Sequence, residues 1–104
     1  MRFKEDIQQR IINDFKDSSD KAIEILDFAI SQTDYLKTDR IIRCIVFLAN
    51  GDIDKLKKFI DNAIFDTRDV MFWAEYNNRN SFQNAKRIRD FNKTFDNCSI
   101  NVKE

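Results

Sequence analysis

One apolar run near the middle of the chain constrains the fold more than any other feature. Residues 41–49 are apolar except for Arg43, and the run lies between Thr38-Asp39 and Asn50-Gly51. As a helix it is apolar almost all round, and a soluble helix of that kind is surrounded by other elements. The run therefore predicts a central core helix against which the other helices pack.

Few residues in this chain interrupt a helix, since its 104 residues include no proline and one glycine, Gly51. Such a chain favours long helices with short joints. Its length suits a single domain, and 42% hydrophobic with 35% charged residues is a globular balance. We predict an all-α fold, a compact bundle of five to six helices packed as antiparallel hairpins. The helical domain is placed at residues 1–91, with an irregular tail at residues 92–104 packed on it.

Apolar side chains recur at helical spacing along most of the chain. We predict that Phe28 widens the buried face of the second helix and that Ile64 faces inward on the fourth. Polar joints separate the helices. The clearest joint is Asn50-Gly51-Asp52. Its glycine suits the left-handed position after a helix, and its aspartate caps the next helix. The predicted helices span residues 2–16, 20–32, 39–49, 53–65, 68–77 and, for the sixth, Ser81 to Phe91.

Residues 21–30 and 55–64 resemble each other at an interval of 34 residues, which is the period of tetratricopeptide helix pairs. The stretch from Cys44 to Ala63 resembles one such repeat in its first-helix aromatic residue, its turn and its second-helix apolar residues. Those residues are Phe47, then Gly51-Asp52-Ile53, then Leu56, Ile60 and Ala63. The resemblance implies a tetratricopeptide-like hairpin at residues 39–65. Cys44 and Leu56 depart from the small residues of that family. The alternative is that two amphipathic helices look alike because each packs one face on a core.

Side chains suited to catalysis are scarce. The chain has no histidine, and histidine is the commonest general base and metal ligand. One glycine cannot form a glycine-rich phosphate loop, so we predict no enzyme, no metal and no cofactor. The enzymatic alternative is a site built from carboxylates alone, drawing on Asp27, Asp61 or Glu75.

The C-terminal part of the chain is net basic, whereas the rest of the chain is net acidic. Residues 78–104 hold 6 basic and 3 acidic side chains, against 12 and 15 in residues 1–77. Basic side chains neutralise phosphates and aromatic rings stack on bases, so nucleic acid is the second candidate partner. The alternatives are a solvated face or one that pairs with the acidic body, and the formal net charge of zero favours them. The candidate residues are Arg79, Lys86, Arg87, Arg89 and Lys93.

Protein is the first candidate partner, through the fifth predicted helix. Aromatic residues and methionine are enriched at interfaces, and this helix carries Met71, Phe72, Trp73 and Tyr76. The alternative is ordinary core packing. With Trp73 facing inward, Phe72 and Tyr76 are left for a partner or for the sixth helix.

These patterns predict a small intracellular protein without enzymatic activity that binds protein, most simply as a homodimer. We expect it in the cytoplasm, with Cys44 and Cys98 as reduced thiols. Residues 1–6 contain no apolar signal-peptide segment, and the central run is far shorter than a membrane span. Arg43 is predicted to pair with a carboxylate or to extend along the apolar helix to solvent.

Overall fold

The computed structural model describes residues 3–77 and 85–100, and its helices occupy the first of these ranges. Two single 3₁₀ turns, Lys16–Ser18 and Asp34–Leu36, connect neighbouring helices. No strand occurs in either described range, so the all-α class is confirmed. The finer prediction, a bundle of antiparallel hairpins, stays a prediction. The helices are α1 Glu5–Phe15, α2 Ser19–Gln32, α3 Asp39–Ala49, α4 Ile53–Phe65 and α5 Thr67–Glu75.

Side-chain caps start three of these helices, as expected from the polar joints. The hydroxyl of Thr38 accepts the N–H of Ile41 at the start of α3, at 3.4 Å. The carboxylate of Asp52 accepts the N–H of Lys55 in α4 at 3.1 Å. Asp66 does the same for α5, accepting from the N–H of Arg68. Each cap satisfies an orphan backbone donor and fixes where the helix begins.

Helix α3 lies at the centre, because it contacts α1, α4 and α5. Eight of its 11 residues are buried, which confirms the prediction from the apolar run. The most deeply buried are Cys44, Ile45, Val46 and Ala49, each without exposed surface. No helix in the described residues is long and apolar enough to cross a bilayer.

Helices α2 and α4 each bury one narrow stripe. The stripes fall at matching positions 34 residues apart: Ala22, Leu26 and Ala29 on α2, and Leu56, Ile60 and Ala63 on α4. The predictions that Phe28 and Ile64 face inward were wrong, since these side chains are 67% and 43% exposed. Both lie beside the stripe, where none of the five described helices covers them.

The predicted sixth helix was wrong over residues 85–91, where the chain is irregular. Residues 81–84 lie outside the described ranges. Tertiary contacts override the helical spacing here, because the backbone N–H groups of Ile88 and Arg89 both donate to the carbonyl of Glu75. Phe91 is fully buried. Residues 85–100 thus pack on the helices as an irregular segment that folds back on itself, with Arg89 paired to Ser99. We call this segment the strap.

Candidate interaction surface and the ion pairs that hold the strap

A buried ion pair joins the central helix to α1 and the strap. Arg43 on α3 donates two hydrogen bonds to the carboxylate of Asp6, at 2.9 and 3.0 Å. It donates a third to the carbonyl of Phe91, at 3.1 Å. The same carboxylate accepts the backbone N–H of Phe95 at 3.1 Å. The prediction that Arg43 pairs with a carboxylate is confirmed, and the pair organises three elements.

Glu75, at the end of α5, is a second buried centre. Its fully buried carboxylate accepts two hydrogen bonds from Arg40, at 3.1 and 2.6 Å. It also accepts from Arg87 at 3.4 Å and from the N–H of Phe91 at 2.9 Å. Burying a carboxylate without such partners is costly. With both oxygens hydrogen-bonded, Glu75 attaches the strap to the helices.

The basic candidate residues divide into two groups. Arg87 pairs with Glu75 and Asp90, and Arg89 donates to the carbonyl of Ala74 at 3.0 Å. The guanidinium of Arg89 also lies 4.4 Å from the centre of the Phe47 ring, which is a cation–π contact. Arg87 is therefore held by acidic side chains, and Arg89 by a carbonyl and a ring of the helices. Lys86 and Lys93 are exposed, and Arg79 lies outside the described residues.

A broad polar cleft of about 880 Å³ opens where α1 and α3 begin beside the strap. Four basic and four acidic side chains line it, so it has no net charge. Arg43 and Asp6 form one side of the cleft and are already paired to each other. No group of three or more histidine, cysteine or acidic side chains within residues 3–77 and 85–100 is placed to hold a metal ion.

Both cysteines are buried free thiols. Burial, helped by the nearby Glu75 carboxylate, raises the pKa of Cys44 well above its ordinary value. Burial also raises the pKa of Cys98. Since the thiolate is the reactive form, neither side chain is prepared for nucleophilic chemistry.

The contacts of Asp6 predict acid lability. Burial alone would raise the pKa of Asp6, but the hydrogen bonds from Arg43 and Phe95 outweigh it and lower the pKa below 3.8. A carboxyl with a depressed folded-state pKa stabilises the fold above its unfolded-state pKa, and this contribution disappears as pH falls through the folded value. The urea concentration at which half of the protein is unfolded should therefore decrease as the pH is lowered from about 5 to about 2.

The Asp6→Asn variant is the control for this pH dependence. It should be less stable than the natural protein at neutral pH, and the gap should narrow towards acid, because protonation removes the same charge from Asp6. A gap that stays constant across this range would show that Asp6 is not an acid-sensitive group.

An apolar groove lies between α2 and α4, away from the strap. Apolar side chains form most of its lining, namely Ile25, Phe28, Ala29, Ile60 and Ile64, with Gln32, Lys57 and Asp61 at its polar positions. Past Ile64 the apolar surface continues to Tyr35 and Phe65, which are 65% and 90% exposed. We call the groove and these two side chains the α2–α4 surface. Large exposed apolar patches are a feature of interaction sites, so the α2–α4 surface is the candidate contact site.

The predicted partner residues on α5 are less exposed. Phe72 and Tyr76 stack on each other with ring centres 5.1 Å apart, and both are partly buried. They line a shallow depression with Met71. Trp73 packs edge-on against Phe59 at 6.1 Å, which is a core contact. The α2–α4 surface was not predicted from the sequence, because the helical spacing assigned its two key side chains, Phe28 and Ile64, to the core.

No family model, no curated protein and no solved structure matches this chain. The assignment of a function therefore depends on the geometry of these surfaces.

Proposed function

We propose that this chain is a non-enzymatic, intracellular protein-interaction module that associates with itself through the α2–α4 surface. The observation that carries the proposal is a group of four exposed large apolar side chains. Phe28 and Ile64 line the groove, and Tyr35 and Phe65 line an adjoining depression that also includes Ile64. Burial of apolar surface is the dominant favourable term in association. The buried, protonated thiols favour a reducing compartment such as the cytoplasm.

The size of the surface indicates a modest affinity. The rings of Phe28, Tyr35 and Phe65 are 67%, 65% and 90% exposed. Since an aromatic side chain buries about 150–250 Å² when fully covered, the three rings expose on the order of 400 Å² of surface to water. A stable interface buries roughly 800 Å² on each partner. We therefore expect a dimer that dissociates in the micromolar range, and association must be measured over a wide range of protein concentration.

Nucleic acid receives less support as a partner. Arg87 and Arg89 are held by Glu75, Asp90 and the carbonyl of Ala74, so these cations are not free to neutralise phosphates. The tetratricopeptide-like hairpin at residues 39–65 is retained as a finer proposal for the fold. It is supported by the buried positions of α2, which match those of α4 at an interval of 34 residues.

Truncation of an exposed apolar side chain on the groove should weaken association. Ile64→Ser is expected to raise the dimer dissociation constant about tenfold, the effect of losing a central apolar contact. Sedimentation equilibrium on the full chain, compared with the 12.4 kDa monomer, measures this directly.

The chain supplies a matched control in Ile12, which is 42% exposed on α1 and lies outside the α2–α4 surface. Ile12→Ser should leave the dissociation constant unchanged. Equal effects of the two serine variants, or a natural chain that sediments as a monomer at all concentrations, would contradict the proposal. Phe72→Ala and Tyr76→Ala test whether α5 contributes instead.

A further inference from the structure

The rim of the groove carries one positive and one negative side chain, one helical turn apart. Lys57 and Asp61 both line the groove, both are exposed, and they lie one helical turn apart on α4. Neither forms an ion pair with any other residue of the described ranges. The groove is otherwise uncharged, so its net charge is zero.

This arrangement is complementary to its own copy. A partner surface of one sign would attract one of these charges and repel the other. A surface with the same two charges in reverse order satisfies both. A two-fold axis that lies in the interface, perpendicular to α4 and level with the midpoint between Lys57 and Asp61, produces that reverse order, and two-fold dimers use the same patch on both copies.

Resting on the self-association proposed above, we infer that the occupant of the α2–α4 surface is the same surface of a second copy. In this two-fold dimer the two α4 helices run antiparallel across the interface. Lys57 of each copy pairs with Asp61 of the other, and the exposed ring of Phe28 packs in the apolar groove. Apolar contact supplies the affinity, and the crossed ion pairs select the orientation.

Charge reversal tests the pairing. In Lys57→Glu, two acidic side chains face each other at both symmetric contacts, and in Asp61→Lys two basic ones do. We expect each variant to raise the dimer dissociation constant about tenfold, because two attractive contacts become repulsive. An equimolar mixture of the two variants should associate within about threefold of the natural protein, since both contacts are then attractive again. The double variant Lys57→Glu with Asp61→Lys should also recover.

Asp54 and Lys58 are the matched control. They lie on α4 at the same spacing, are exposed, and do not line the groove. Asp54→Lys and Lys58→Glu change the net charge by the same amounts and should leave the dissociation constant unchanged. Circular dichroism of every variant, together with recovery in the double variant, separates a lost contact from a lost fold.

The outcomes distinguish this inference from the proposed function. If the natural protein is monomeric throughout, self-association itself fails. Suppose instead that the natural protein dimerises. If each single reversal then has the dissociation constant of the natural protein, or if the mixture associates no better than the single variants, the two-fold pairing is wrong and the proposed self-association stands. If the Asp54 and Lys58 variants weaken the dimer as much as the groove variants, the effect is one of net charge and the inference is overturned.

Discussion

Replacement of Arg43 by alanine is expected to lower the free energy of unfolding by about 3–5 kcal/mol, the usual effect of removing one member of a buried ion pair. The loss is large because the Asp6 carboxylate stays buried without its cation. The carbonyl of Phe91 also loses its donor. A small domain has only about 5–15 kcal/mol of stability in total, so this variant should unfold at markedly lower urea concentration.

Two comparisons make the Arg43 measurement specific. Arg68, whose ion pair with Asp66 is exposed, should tolerate alanine with little change, because solvent screens such pairs. Asp6→Asn and Arg43→Ala should also be combined in one double variant. Its loss of stability should be smaller than the sum of the two single losses, because both substitutions remove the same interaction. A loss from Arg43→Ala no greater than from Arg68→Ala would mean that the buried pair contributes nothing to folding.

Arg43 also shows which parts of the structure the sequence could predict. Its place inside an apolar run predicted either a pairing with a carboxylate or an extended side chain that reaches solvent. The partners lie 37 and 48 residues away in the chain, and no local pattern specifies such distances. The helices were predictable because each follows from local periodicity, and α3, α4 and α5 also begin at a capping side chain. The strap was not, because its conformation is determined by contacts with Glu75 and Asp6.

The α2–α4 surface could not be predicted from local sequence patterns, for a related reason. A helix with apolar residues on more than one stripe can bury either one, and the choice depends on which side has neighbours. Leu26 and Ile60 face neighbouring helices and are buried, whereas Phe28 and Ile64 face solvent. Composition alone could not distinguish them. The signal available in the sequence was an excess of apolar residues over one stripe on both α2 and α4.

The joint between α3 and α4 combines one predictable and one unpredictable feature. Gly51 has a positive φ of 82°, as expected for the residue after a helix end. The sequence did not show that the α carbon of Gly51 faces the backbone of α1. A β carbon there would lie against the carbonyl oxygen of Asp14, closer than such atoms approach in real structures. The glycine therefore permits both the turn and the close packing of α1.

Gly51→Ala is accordingly expected to destabilise the protein by about 3 kcal/mol, of which about 1–2 comes from the left-handed backbone and the remainder from displacing α1. Asn50 is the control, because it also has a positive φ, of 48°, but is exposed. Asn50→Gly should change stability by less than about 1 kcal/mol, since glycine adopts this conformation freely. Urea denaturation of the three proteins at neutral pH measures both effects. If Gly51→Ala loses no more than the backbone contribution, then α1 moves aside without cost and the contact with Asp14 does not constrain the fold.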